Sequence, residues 1–347
     1  MAEIEALPWN GYRVASTFSG CGGSCLGYRM AGYRVVYANE FIEEAQRTYK
    51  ANHPNSYLDT RDIRQVRPED VMEKAGVGRG ELDLLDGSPP CSAFSTAGKR
   101  EAGWGKVKSY SDKAQRVDDL FFEYVRLLDG IRPKVFVAEN VSGLVKGTAK
   151  GYFKRILAAL KEPGYRVSCR VLDAQWLGVP QMRQRTIFVG VREDLGIDPA
   201  HPEPLPYRYS VRDAIPWIDR ECDEGQQLRQ VELDACMKGY AVGREWEFLR
   251  TPGTQSKKYF QLVRPSLDAP CPTITQRGGD RTVASVCHPT ICRKFSIAEL
   301  RRICGFPDDF QFSGAFPSQY ERMGRAVPPV MMSHIASTIA TKILNRC

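Results

Sequence analysis

Four short stretches of the chain carry residue types and spacings suited to covalent chemistry on a bound ligand. Residues 18–23, Phe18-Ser19-Gly20-Cys21-Gly22-Gly23, follow a β-prone run and place three glycines where a backbone must come close to a ligand. Glu40 ends the next β-prone run, where a carboxylate can take both hydroxyls of a ribose. The spacing is not G-x-G-x-x-G and no phosphate-binding Lys follows, so either a ligand with a ribose and no phosphates or a tight, ligand-free turn is expected. In Gly87-Ser88-Pro89-Pro90-Cys91-Ser92, two prolines fix the backbone just ahead of a thiol. Such a thiol is a nucleophile if something favours its thiolate, and a small buried apolar residue otherwise. Glu139 closes a neighbouring apolar run, where burial raises a carboxyl towards the range of a proton donor. Gln181, Arg183 and Arg185 alternate along a further β-prone run and are expected on one face, where paired guanidinium groups suit a planar acceptor or phosphates.

The elements that hold these residues read as alternating strands and helices. Strands are expected over residues 13–18, 33–40, 82–86, 134–139, 166–172 and 186–191, with helices after residue 23, over 41–52 and over 118–129. This alternation predicts an α/β fold, a doubly wound and mostly parallel sheet with helices on both faces. Ligands of such sheets sit at the carboxyl ends of the strands, where residues 18–23, Glu40, residues 87–92 and Glu139 fall, while residues 181–185 begin a strand. Beyond residue 192 the pattern breaks at four crowded prolines and no period persists until about residue 295. A helix over 296–303, a turn over 325–329 and a closing amphipathic helix over 330–344 follow. The predicted division is a catalytic domain of residues 1–192 plus 291–347, with a smaller irregular domain over 193–290.

Composition sets the outer bounds. With 347 residues, 42% hydrophobic and 26% charged, the chain has an ordinary globular composition, and no apolar run nears the roughly 18 residues of a membrane span. The first ten residues carry Glu3 and Glu5 and lack the pattern of a secretory signal. Eleven cysteines without such a signal argue for reduced thiols and a cytoplasmic location. None are at C-x-x-C spacing, so no metal site is expected. The net charge of +8 includes six Lys/Arg against two acids over residues 91–117, directly after Pro90-Cys91, which suits a polyanionic partner or a solvated surface.

Taken in order, these stretches resemble the DNA (cytosine-5) methyltransferase family. Residues 18–23 are similar to its cofactor loop, Pro90-Cys91 to its nucleophile motif, Glu139-Asn140-Val141 to its acidic motif and Gln181-x-Arg183-x-Arg185 to its paired-arginine motif. Residues 293–307, ending Cys304-Gly305-Phe306-Pro307, and Gly324-Arg325-Ala326-Val327-Pro328-Pro329 resemble two later motifs. The resemblance covers residues 13–192 and 293–345. Residues 193–290 stand in the place of the family's variable target-recognition domain.

The resemblance implies S-adenosylmethionine as methyl donor and a Rossmann-like methyltransferase fold. It would place Phe18 against the adenine, with Ser19, Gly20, Cys21, Gly22 and Gly23 forming the loop, and Glu40 on the ribose. Asp62 and Ile63 fit an acidic-hydrophobic pair near the adenine, Leu120 an apolar contact, and Pro90, Arg325, Ala326 and Val327 the remaining cofactor contacts. Cys91 would attack C6 of cytosine, Glu139 would bond or protonate N3, Arg185 would contact the base oxygen and Arg183 would help to position the base. The substrate would be double-stranded DNA, bound by a monomer in a bacterial nucleoid or phage-infected host, within or outside a restriction-modification system. The base would rotate out of the stack. Ser95, Lys99 and Arg100 would meet phosphates from a mobile loop, while Thr275, Arg277 and Arg281 would belong to a recognition loop, its arginines reading guanine edges or touching phosphates only.

Two departures from the family pattern stand near the reaction centre: Ser92 where Gln is usual, and Arg325 where Asn is usual. A guanidinium about 5 Å from a sulfonium repels it by roughly 3 kcal/mol at an effective dielectric near 20. Arg325 must therefore point away or be offered an anion, and carboxy-S-adenosylmethionine would supply one, giving 5-carboxymethylcytosine. Two other rivals are a tRNA cytosine-5 methyltransferase and a catalytically inactive DNA-binding regulator.

Overall fold

The computed structural model describes residues 1–90, 108–110, 113–115, 119–145, 150–216, 226–237, 245–249, 262–280 and 285–347. Cys91, Ser95, Lys99, Arg100 and Arg281 lie outside these residues.

Seven strands make the main sheet: β1 (Arg13–Thr17), β2 (Arg34–Asn39), β3 (Tyr57–Asp59), β4 (Leu84–Gly87), β5 (Val135–Val141), β6 (Tyr165–Asp173) and β7 (Gln184–Arg192). Their order is β3-β2-β1-β4-β5-β7-β6. The first five run parallel and β7 is antiparallel to β5. The central strands β4 and β5 are buried almost throughout, as expected where helices cover both faces, whereas β6 at the edge is mostly part-exposed. The predicted α/β doubly wound sheet is thus present, with each anticipated strand found within about two residues of its expected bounds.

Helices α1 (Gly23–Met30), α2 (Glu43–Asn52) and α3 (Leu120–Ile131) follow β1, β2 and β4 in the chain. In α3, Leu120, Phe121, Tyr124, Leu127, Leu128 and Ile131 are buried, one stripe at helical spacing. That stripe joins Phe136, Tyr165 and Phe188 in the main core, where the Phe136 and Tyr165 rings meet edge-on at 5.2 Å between centroids. The Tyr124 hydroxyl donates to the carbonyls of Leu85 and Val137 and so pins β4 and β5 ahead of the residues that follow them.

The chain parts into two compact units, one of residues 2–172, 184–203 and 332–347, the other of Met1 and residues 173–183 and 204–331. This differs from the boundaries expected at 192/193 and 290/291. Residues 291–331 stay with the second unit because buried polar groups tie them there. Lys294 is buried, donates from Nζ to the carbonyls of Gly278 and Asp280, and donates its N–H to Gln226 O. Arg293 beside it makes a two-pronged pair with Glu299, both arms 2.8 Å. The irregular region also holds short elements that no sequence period announced, among them Val211–Ala214, Gln230–Cys236 and Leu262–Pro265.

Candidate active site

The cofactor loop starts where β1 ends. Phe18 turns to φ 52°, an uncommon conformation for a residue with a side chain, and packs against the main core. The loop is held to its neighbour by Ser19 N–H to Asn39 O (3.0 Å) and Gly20 N–H to Glu40 Oε2 (2.7 Å). The second oxygen of Glu40 accepts Ile42 N–H at 2.7 Å, so two backbone bonds orient the carboxylate. Gly22 has φ 90°, and a Cβ there would lie 2.2 Å from His53 Nε2, so only glycine serves. Asp62 accepts Arg64 N–H at 3.0 Å and pairs with the Arg64 guanidinium, which also reaches Asp119 at 2.8 Å. Ile63 and Leu120 are buried in the main core.

The Pro-Pro segment is anchored from β5. Asn140 Nδ2 donates to Pro89 O at 3.1 Å, fixing the chain just before Pro90 and Cys91. Asn140 has no role in the sequence reading, although it stands inside the quoted motif. Its neighbour Glu139 forms a short ion pair with Arg185, Oε1 to Nε at 2.7 Å, both side chains largely buried. The pair follows from register: β7 runs antiparallel to β5 with Arg185 opposite Val141 and Ile187 opposite Glu139. Burial lowers the Arg185 pKa while the facing carboxylate raises it, so the guanidinium draws its support from Glu139.

The second arginine goes elsewhere, which corrects the expectation that Gln181, Arg183 and Arg185 share one strand face. The strand breaks at Arg183: Gln181–Met182 pairs with Cys271–Pro272, while Gln184–Arg192 joins the main sheet. Arg183, 1% exposed, turns its N–H to Asp173 Oδ1 (3.2 Å), and its guanidinium donates to Ile274 O (3.0 Å), Gly324 O (2.8 Å) and Ala326 O (2.9 Å). Arg183 therefore clamps two backbone segments and leaves the part-exposed Arg185 as the arginine beside Glu139. Replacing it by Met would leave three inward carbonyls without this donor, and Arg183→Met should lose roughly 3 kcal/mol in a urea unfolding measurement. Unchanged stability would return Arg183 to a role at the base.

The clamped segments carry the remaining expected residues. Gly324 lies so close to the chain that a Cβ would sit 2.6 Å from Gln276 N, which brings the closing motif against the 273–280 loop. Thr275 is half-buried on that loop and Arg277 is exposed, 3.7 Å from Asp280. Arg325 is paired within its own helix, Phe316–Arg325, by Nη2 to Glu321 Oε1 at 2.6 Å, with Ala326 and the buried Val327 following. Among the described residues no helix is long and apolar enough to cross a membrane.

The family model for C-5 cytosine-specific DNA methylases matches residues 12–341. The chain belongs to the C-5 cytosine-specific DNA methylase family. It is 29% identical to the Type II methyltransferase M.NgoPII of Neisseria gonorrhoeae, over the full length of both. It is 32% identical to M.PspPI of a Psychrobacter species, covering 99% of this chain and 82% of that one, and 30% identical to M.MthTI of Methanothermobacter thermautotrophicus, covering 94% and 96%. A prophage-encoded DNA modification methyltransferase structure from E. coli superposes with a TM-score of 0.72 at 20% identity, over 96% of this chain and all of that one, which establishes the shared fold. As a C-5 cytosine-specific methylase the chain is an enzyme acting on DNA, and the family uses S-adenosylmethionine as methyl donor.

The loop suits that donor. Two left-handed glycines open the backbone, and Gly20 and Ile42 orient the carboxylate that a ribose would meet.

Proposed function

We propose that the enzyme recognises a short sequence in double-stranded DNA, rotates one cytosine out of the stack and methylates its C5 through a covalent Cys91 adduct at C6. The observation that carries this reading is the Glu139–Arg185 pair, set beside the anchored Pro89-Pro90 segment. Attack of the Cys91 thiolate on C6 pushes electrons into the ring. Glu139, holding a proton between its carboxyl and N3, keeps negative charge from building up there. Arg185, fixed by Glu139, is left to meet the base oxygen. C5 becomes enamine-like and nucleophilic, and S-adenosylmethionine supplies an electrophilic methyl carbon when bound. Loss of the C5 proton then expels Cys91. Glu40 and the 18–23 loop orient the ribose and adenine ends of the donor.

Bisulfite sequencing of genomic DNA from a host expressing the protein tests the reading. A defined motif with converted flanks is expected, and cytosines methylated without sequence preference would sink it. Transfer to tRNA but not to duplex oligonucleotides would favour the tRNA reading, and no adduct with DNA containing 5-fluorocytosine would favour an inactive regulator.

The pairing of Arg325 bears on which one-carbon group is moved. Its guanidinium already pairs with Glu321, a carboxylate it shares with Arg322, and so is held on its own helix without a carboxylate on the donor; methyl is the group we assign. Offered S-adenosylmethionine and carboxy-S-adenosylmethionine together, the parent should give 5-methylcytosine by nucleoside mass, and Arg325→Asn the same. Formation of 5-carboxymethylcytosine by the parent but not the variant would reverse the assignment.

A further inference from the structure

Asp86 belongs to none of the motifs, yet it lies on β4 five residues before Cys91 and beside the cofactor loop. Its side chain is buried, 1% exposed. Ser16 opposite it on β1 donates Oγ–H to Asp86 Oδ2 at 2.9 Å, and Tyr28 of α1 donates to Oδ1 at 3.1 Å. Behind Ser16 stands Ser19 of the loop, whose hydroxyl reaches Ser16 Oγ at 3.1 Å and Ser16 O at 3.2 Å. The carboxyl group is thus the end of a hydroxyl relay that begins in the loop.

The titratable groups that face it are Cys25 and Tyr28 on α1, Tyr124 on α3 and Glu139 on β5. No cation is among them in the described residues. Burial pushes the Asp86 carboxyl up to about 7, against the lowering effect of the two hydroxyls, and the like charge of Glu139 acts in the same direction as burial. A buried carboxyl with only hydroxyl donors is an incomplete electrostatic arrangement under a loop that takes a cation.

S-adenosylmethionine carries a positive sulfonium, whereas its demethylated product is a neutral thioether. We propose that Asp86 is the counter-charge of the cofactor loop, ionised when the sulfonium is bound and protonated when the loop is empty or holds the thioether, and so a positioning residue that favours donor over product. The inference rests on the family's donor and on the 18–23 loop as its seat. Binding the cation draws the proton of Asp86 into solvent, and forming the product returns one. Below pH 7 that proton must be displaced, so donor affinity rises with pH through the titration of Asp86.

The test is calorimetry on the full chain with S-adenosylmethionine and S-adenosylhomocysteine, at pH 6, 7 and 8, in buffers of different ionisation enthalpy. Donor binding should tighten about tenfold from pH 6 to 8 with proton release near pH 7, the size expected if one carboxyl of pKa near 7 becomes ionised on binding. Product binding should be flat. Asp86→Asn should abolish the donor's pH dependence and narrow the donor-over-product preference. Tyr28→Phe, which removes one donor to the carboxylate, should move the midpoint to higher pH and serves if the Asn variant does not fold. The proposal is overturned if both ligands show the same proton linkage, or if Asp86→Asn or Tyr28→Phe leaves that of the donor unchanged. Failure of either ligand to bind at all would instead strike the cofactor reading beneath it.

Discussion

Cys91→Ser should bring turnover down by at least about four orders of magnitude while leaving duplex binding within a few-fold, because removing an attacking nucleophile costs this much when nothing can replace it. A thiol ionises near pH 8.5 and is strongly nucleophilic as the thiolate; a serine hydroxyl in its place ionises far above neutral pH. C5 of cytosine is not nucleophilic enough to take a methyl group until C6 is attacked, so the loss falls on chemistry rather than on affinity. On the proposed reading, binding rests on phosphate contacts and the recognition loop, neither of which passes through the sulfur. Transfer of labelled methyl to host genomic DNA, paired with a mobility-shift titration of the same DNA, separates the two effects. Turnover by the serine variant within a hundredfold of the parent would assign the attack to another group.

Glu139→Gln is expected to slow transfer by roughly 10² to 10⁴-fold, the range over which a positioned proton donor contributes, with donor affinity kept within a few-fold. Gln preserves the length of the side chain and an oxygen for Arg185 Nε, which Glu139 meets at 2.7 Å, so the substitution removes the proton and the charge with little change of shape. Single-turnover rates and equilibrium donor binding are the two measurements. A variant that loses donor affinity and rate together would move Glu139 into the cofactor site and leave N3 without its partner.

How much of this was legible in the sequence depends on how far apart the interacting residues lie. The strand ends that carry Glu40, Pro90 and Glu139 could be located because each closes an apolar run, and apolar runs are local. Glu139 and Arg185 were singled out separately; their pairing needed the antiparallel register of β7 on β5, which no local period encodes. The strand face expected to join Arg183 to Arg185 fails for the same reason. The three acceptors of Arg183 lie 91 residues away at Ile274 and some 141 to 143 away at Gly324 and Ala326, and strand alternation says nothing of a break that sends neighbouring arginines to different partners. The helix Phe316–Arg325 escaped notice because Pro317 near its start reads as a breaker, although proline is welcome in a first turn. Asp86 did leave a signal: a carboxylate closing the apolar run at 82–86 is out of keeping with a buried strand unless something holds it.

The clamp made by Arg183 and Lys294 bears on how such enzymes exchange specificity. A graft of residues 193–290 from a relative would bring in the 273–280 loop but leave both of its buried cationic supports to the host chain. The heritable cassette is therefore discontinuous, a loop plus two distant cations, and recombination that respects it must cross over inside the catalytic motifs themselves. On the proposed reading of this loop as the one that meets the target bases, lineages of this architecture would drift in target sequence by point changes at half-buried Thr275 and exposed Arg277 more readily than by swapping the region whole.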